Sequence, residues 1–235
     1  MNSTSIQKVI NSFGLDIRRY PTRLLKNRSI LLRDRGVDLI LDVGANIGQY
    51  GSELRRIGYD KDIISFEPLS KTFESLQAAA RSDSKWTLRN YALGDKVETI
   101  DINISGNSPS SSILDINERH TDAAPSTKYI GKEAIKVETL DNIFVDDWSN
   151  RTPFVKVDVQ GFEQNVLKGA TDSMKHIIGW QIELSLVPLY TDEANYLDII
   201  ETMNSYGYQL YSIETGFMNS KTGQLLQFDG VFFRD

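Results

Sequence analysis

The sequence contains no cysteine. That absence excludes disulfides, thiolate metal sites and cysteine nucleophiles together. Histidine is nearly as scarce: there are two, His120 and His176, with no cluster at ligand spacing. No apolar run approaches the ~20 residues that a membrane-spanning helix requires. The first residues also lack the charged-then-apolar pattern of a secretory leader, so a cytoplasmic protein with no transmembrane segment is the expectation. Positive charge is in short supply as well. Lysine and arginine number 26 against 32 aspartates and glutamates, for a net charge of −6. The field of the whole molecule therefore gives no reason to expect a nucleic-acid partner. Arg18, Arg19, Arg23, Lys26 and Arg28 near the N-terminus read as a solvated helix face.

What is present is an ordinary globular composition. The chain has 235 residues, 40% hydrophobic and 25% charged, enough for one domain with a sizeable core. Ile6, Val9, Ile10 and Phe13 recur at helical spacing, Gly14 can end that helix and Pro21 restarts the chain. Residues 1–36 are thus read as an N-terminal helical cap on a main domain spanning 37–235. From there short apolar runs alternate with amphipathic stretches, as a parallel α/β sheet requires. The runs are 39–43, 62–66, 86–93, 154–159 and 178–184, with helices at 49–57, 71–80, 162–176 and 194–206, and strands at 208–213 and 230–234; Asp229 and Gly230 read as the turn into the last strand. Residues 94–153 break the alternation. They read as two β ribbons flanking a polar, turn-rich segment, and a loop of that length is more often functional than idle.

The stretch LILDVGANIGQYGSELRR (39–56) carries the chemistry. A strand delivers the chain to the carboxyl edge of the sheet, where open α/β sheets bind ligands, and Gly44 and Gly48 permit close approach of a ligand to the backbone. A P-loop is ruled out because Gln49 and Tyr50 follow Gly48 where lysine and a hydroxyl residue belong. A dinucleotide fingerprint is weakened because Asp42 stands where its first glycine belongs. An acid there suits a cationic ligand group better than a pyrophosphate. Glu67 closes the next strand, 23 residues after Gly44, where an acid accepts hydrogen bonds from ribose hydroxyls. Asp42, Gly44, Gly48 and Glu67 together fit a nucleoside with a sulfonium and an amino-acid tail, S-adenosylmethionine.

Seven stretches in order carry a closer likeness: DVGANIGQY (42–50), FEPL (66–69), NYALGD (90–95), SSSIL (110–114), KVDVQGFEQNVLKGA (156–170), IELSLVPLY (182–190) and FDGVFF (228–233). From about residue 37 onward the chain resembles the FkbM family of S-adenosylmethionine-dependent methyltransferases. The resemblance implies a class I methyltransferase (Rossmann-like) α/β fold: a seven-stranded, mostly parallel sheet whose last strand is antiparallel, here with N-terminal helices and an inserted β ribbon. It also implies a cofactor site made by Asp42, Gly44, Asn46, Gly48 and Gln49, by Glu67 with Pro68 and Leu69, and by Asn90, Ala92 and Asp158.

A hydroxyl acceptor must lose its proton during methyl transfer, which calls for a base or a metal. Asp42, Asp158 and Glu183 fall at the ends of adjacent strands in the expected order 3-2-1-4-5. Neighbouring strands lie ~4.8 Å apart, so these acids can share a pocket. Asp158 is the first candidate base, Glu183 the second and His120 a third; His176 reads as structural. Lys156 lies on an otherwise apolar strand and needs a partner, so an ion pair with Asp158 or Asp42 is expected. Ser111, Ser112, Gln160 and Tyr190 are candidate acceptor contacts. Glu163 suits the positive end of its helix dipole, although Asp158, Glu183 and Glu163 could instead hold Mg²⁺. The polar insertion points to a sugar, glycan or other small polyhydroxylated acceptor. The competing readings are a nucleotide-sugar dehydrogenase or reductase of Rossmann type, which would need a Tyr-x-x-x-Lys pair that the sequence does not supply, and a non-catalytic cofactor-binding module.

Overall fold

In the computed structural model, residues 12–14, 20–107 and 109–234 are described. The expected helix through Ile6, Val9 and Ile10, and the arginines Arg18 and Arg19, lie outside them. Helix α1 (Arg23–Asp34) starts where the Thr22 hydroxyl accepts from the Leu25 N–H at 3.4 Å, which satisfies one of the orphan donors of its first turn.

The main sheet has seven strands. In chain order they are β1 (Leu39–Val43), β2 (Asp62–Phe66), β3 (Trp86–Arg89), β7 (Pro153–Val157), β8 (Gly179–Ser185), β9 (Gln209–Thr215) and β10 (Gln227–Phe233). In space they run β3-β2-β1-β7-β8-β10-β9. All neighbours are parallel except β10, which is antiparallel to both β8 and β9. This is the expected class I methyltransferase arrangement. A smaller sheet of β4 (Ala92–Leu93), β5 (Glu98–Ser105) and β6 (Tyr129–Glu138), in the order β4-β6-β5, stands at the carboxyl edge.

Period-two alternation explains how the sheet is covered. Leu39, Leu41, Val43, Val155, Val157, Ile182 and Leu184 point into one core with helix α7 (Glu163–Lys168) and helix α8 (Tyr196–Ser205). Ile40, Ile63, Phe154, Val231 and Phe233 point into the other, beneath α1, α2 (Gln49–Arg56) and α3 (Ser70–Ala80). On that second face the apolar side chains stop short of the carboxyl edge. Two positions further on come Asp42 after Ile40, Ser65 after Ile63 and Lys156 after Phe154. All three are buried, so a polar layer continues the core toward the crevice.

Four sequence expectations change. Residues 86–93 do not form one strand: β3 joins the main sheet and β4 pairs with β6 in the small one. The insertion holds one ribbon, because β5 and β6 pair antiparallel with each other. The helix expected over 162–176 is broken after α7, where Gly169 packs so closely on the Gly94 carbonyl that a Cβ would sit 1.9 Å from its oxygen. The chain resumes in a short 3-10 turn, Ser173–His176. Finally, Asp229 and Gly230 lie inside β10, not in a turn before it.

Candidate cofactor and acceptor site

The loop after β1 is shaped by its neighbours. Gly44 has φ 79°, and a Cβ there would stand 1.9 Å from the Asp158 carbonyl oxygen, so only glycine lets the two strand ends meet. The N–H groups of Gly44 and Ala45 both donate to the Phe66 carbonyl, at 3.1 and 3.0 Å. Gly48 begins α2 at φ 87° and packs toward Leu76 and Trp86, which makes it a packing residue of the loop. The Glu67 carboxylate is tied at both oxygens: Asn46 N–H donates to Oε2 at 3.0 Å and Leu69 N–H to Oε1 at 2.9 Å. Burial nevertheless outweighs those two bonds and pushes its pKa up to about 7.

Asp42 is fully buried beneath this loop. Its Oδ2 accepts from the Ser65 hydroxyl at 3.0 Å, while Oδ1 has no hydrogen-bond partner. Burial raises its pKa to about 6, against the attraction of Lys156. Lys156 pairs with Asp158, Nζ to Oδ2, at 2.7 Å, as its place on an apolar strand required. Burial opposes the lysine charge, but Asp158 and Asp42 more than offset it and hold the ammonium protonated. For Asp158 burial pushes the pKa up and Lys156 pulls it down further, so the carboxylate stays ionised.

Gln160 then links the two leading carboxylates. Its Nε2 donates to Asp158 Oδ1 at 2.8 Å and to Glu183 Oε2 at 2.7 Å. The residue sits at φ 56°, and two side chains hold it there: Tyr190 OH donates to its Oε1 at 2.6 Å and Ser112 Oγ to its carbonyl oxygen at 2.6 Å. Gln227 adds a second donor to Glu183 at 2.8 Å. Burial, with Asp158 close by, drives the Glu183 pKa well above the ordinary carboxylate value. Glu163 is spent on structure. Its Oε1 accepts from Val159 N–H at 3.1 Å and Gly161 N–H at 3.2 Å, and burial lifts its pKa to about 8.

A cavity of about 390 Å³ opens above these groups, within the usual range for small-molecule sites. Of the residues singled out in the sequence, Gly44, Asn46, Gln49, Glu67, Pro68, Leu69, Ala92, Ser111, Asp158, Gln160 and Glu183 line it. Asp42, Gly48, Asn90, Ser112, Tyr190 and Glu163 do not line it and act from behind. The Asn90 amide, for instance, donates to the carbonyls of Glu67 (2.9 Å) and Pro68 (3.1 Å) and so fixes the segment that carries the acid. His120 is not brought to the cavity. It is buried against Tyr190 and Phe217 at ring distances of 5.2 and 5.5 Å, and burial lowers its pKa to about 4. His176 stacks on Phe144, 5.8 Å away.

The cavity also gains residues that the sequence did not single out as ligand contacts. Ile102 and Ile113 come from the insertion and give one end an apolar wall. The signal for Ile102 was present in the alternation of Ile100, Ile102 and Ile104. Arg28, Tyr50, Glu53, Gln181 and Asp229 line it as well, the first four tied together by the Arg28–Glu53 ion pair, the Arg28–Tyr50 stack and the Tyr50–Gln181 hydrogen bond. Arg28 is a correction: it is buried, paired with Glu53 at 2.5 Å and with Glu214, and not part of a solvated face.

The buried acids set the pH dependence of stability. Asp42, Glu67, Asp229 and Glu163 have folded pKa values of about 6, 7, 6 and 8, all above their unfolded values. Between those limits the folded protein binds more protons than the unfolded chain, so stability falls as pH rises. The ligand-free protein is accordingly expected to be more stable at pH 5 than at pH 8, by on the order of a few kcal/mol. Urea unfolding at the two pH values checks the sign; equal or greater stability at pH 8 would contradict it.

The family description "Methyltransferase FkbM domain" matches residues 42–210, more than half of the chain. The chain belongs to the FkbM methyltransferase family. Among solved structures, the methyltransferase domain of bacterial-CtHen1-C superposes with a TM-score of 0.51 at 10% identity, covering 90% of this chain and 97% of that one. An uncharacterized protein from Listeria monocytogenes serotype 4b gives a TM-score of 0.50 at 8% identity, covering 91% and 68%. At such identities the likeness concerns the fold alone. No curated protein matches the chain in sequence.

Membership of the FkbM family makes this protein a S-adenosylmethionine-dependent methyltransferase, and the residues present fit that cofactor. Gly44, Ala45 and Asn46 bring the loop backbone to the cavity wall, and beside them Glu67 presents a carboxylate fixed by two backbone N–H groups. The donor set does not suit Mg²⁺. Among the described residues no group of three His, Cys, Asp or Glu side chains gathers as a metal site. Asp158 is committed to Lys156, Glu183 to two amides and Glu163 to backbone N–H groups. No helix among the described residues is long and apolar enough to cross a membrane.

Proposed function

We propose that this FkbM methyltransferase methylates a hydroxyl of a small polyhydroxylated acceptor, a sugar, glycan or secondary metabolite. The observation that carries the reading is the Asp158–Gln160–Glu183 bridge facing the cavity. The cofactor, when bound, supplies an already activated methyl group, so the protein contributes position and removal of one proton.

On this reading Glu67 holds the ribose, and Gly44, Asn46 and Gln49 receive the rest of the cofactor; Pro68, Leu69 and Ala92 flank the base. Asp158 and Glu183 titrate as a pair. Asp158 stays ionised beside Lys156, whereas Glu183 holds its proton well above the usual range. The carboxylate with the raised pKa is the stronger base once ionised, so Glu183 takes the acceptor's proton and Asp158 orients the hydroxyl. A cationic ligand in the cavity favours ionised Glu183, which prepares the base as the site fills. Gln160 keeps the pair in register, with Tyr190 and Ser112 as its positioning residues. Ser111 lines the cavity from the insertion side.

Glu183→Gln is expected to lower kcat by about 10²-fold or more, with S-adenosylmethionine affinity, read by calorimetry, essentially unchanged. Asp158→Asn is expected to slow turnover less, and more than it weakens cofactor affinity. In the parent enzyme kcat/KM should climb with pH as Glu183 loses its proton, and Glu183→Gln should abolish that limb. The assay is methyl transfer from labelled donor across a panel of cell-surface sugars and lipid-linked glycans. Full activity of both variants would end the carboxylate-base reading.

A further inference from the structure

Five of the cavity's lining residues have no part in the steps above: Arg28, Tyr50, Glu53, Gln181 and Asp229. They come from four elements, α1, α2, β8 and β10, which the fold brings together over the second face of the sheet. Asp229 lies opposite Glu183 in the β8–β10 pairing, which sets it beside the proposed base on the next strand. Tyr50 OH donates to Gln181 Oε1 at 3.1 Å, and the Arg28 guanidinium lies 5.0 Å over the Tyr50 ring.

The charges at this end cancel locally. Arg28 is shared between Glu53 and Glu214, and Lys156 is spent on Asp158. Each lining cation therefore already has its carboxylate, while Asp229, beside the proton-holding Glu183, adds further negative charge. A phosphate or carboxylate entering here would meet no uncompensated cation and would be repelled. What remains on offer is hydrogen bonding: carboxylate acceptors at Asp229 and Glu53, and donor groups at Arg28 and Gln181. That pattern suits a ring bearing several hydroxyls, each able to donate and accept.

We propose that the cavity end beneath α1, walled by Arg28, Tyr50, Glu53, Gln181 and Asp229, is the acceptor subsite and takes an uncharged polyhydroxylated ring. The proposal deepens the hydroxyl-methylation reading and rests on it. Asp229 and Glu53 accept from hydroxyls that flank the reacting one, so α1 is a specificity element of the enzyme as well as a cap on its sheet.

The test is saturation-transfer NMR on the full chain in the presence of S-adenosylhomocysteine. The neutral probes are methyl α-glucoside, galactoside, mannoside and rhamnoside; methyl glucuronide and glucose 6-phosphate are the charged ones. Calorimetry with S-adenosylhomocysteine alone comes first, and thermal melting checks that each variant folds. At least one neutral glycoside is expected to bind and the charged probes are not. Asp229→Asn and Glu53→Gln should each weaken glycoside binding about tenfold, the size of one lost charged hydrogen bond, with nucleoside affinity held. Failure of the parent protein to bind S-adenosylhomocysteine would remove the parent reading and this subsite together. Nucleoside binding with no neutral glycoside signal, or with preference for the charged probes, would overturn the subsite alone. So would a tenfold loss of S-adenosylhomocysteine affinity in Asp229→Asn, which would give this end of the cavity to the amino-acid tail.

Discussion

Replacing Lys156 by methionine is expected to cost about 3–5 kcal/mol of stability near pH 8. The ammonium lies in the centre of the sheet, 2.7 Å from Asp158, with Asp42 and Asp229 also within its field. Removing it leaves buried carboxylates with no cation, and such groups escape the penalty only by taking up protons. The sign with pH follows. In the parent protein Asp158 sits below its ordinary pKa, so its contribution is present above the unfolded value and lost only in stronger acid. Without Lys156 that carboxylate shifts upward, the folded variant binds more protons than its unfolded chain, and the deficit shrinks as pH falls toward 5. Urea titrations of both proteins at pH 8 and pH 5 measure this. A deficit that is absent, or equal at the two pH values, would show that the lysine only shields the sheet edge.

Glu67→Ala is expected to weaken S-adenosylmethionine binding by about 10²-fold or more, the equivalent of two charged hydrogen bonds. Asn46 and Leu69 N–H each occupy one acceptor position on a different oxygen, which leaves each oxygen able to accept once more. Two vicinal hydroxyls match that remaining capacity. The same backbone bonds fix the carboxylate before any ligand arrives, so little ordering is left to be done on binding. Glu67→Gln keeps the shape and loses the charge, and a smaller loss is expected from it. Isothermal calorimetry gives both values. An unchanged affinity in Glu67→Ala would remove the ribose assignment and with it the orientation of the cofactor in the cavity.

Local sequence carries the part of this protein that depends on local physics. Alternation within 39–43 and 154–157 marks strands whose two faces both enter a core, and the change from Ile40 to Asp42 and from Phe154 to Lys156 marks where the core turns polar. The glycine at 44 and the acid at 67 stand at strand ends, a position that the apolar runs before them define. Lys156 and Asp158 are two apart on one strand, so their pairing follows from period two alone. The tertiary structure decided what depends on distant partners. Arg28 reads as a surface arginine until Glu214, 186 residues away, meets it under α1. Asp229 reads as a turn residue until β10 is seen to run antiparallel between β8 and β9, which places it opposite Glu183. His120 is in a polar insertion by sequence and in an aromatic cluster by packing. Helical spacing continues through 162–176, but the helix stops at Gly169, which lies so close to the Gly94 carbonyl that a Cβ there would stand 1.9 Å from its oxygen. Sequence thus determined the fold and the glycine loop after β1, because strand period and strand-end chemistry are properties of neighbouring residues. The part of the cavity beneath α1, the proposed acceptor subsite, was decided only by the tertiary structure, because its walls come from four elements whose meeting no local pattern encodes.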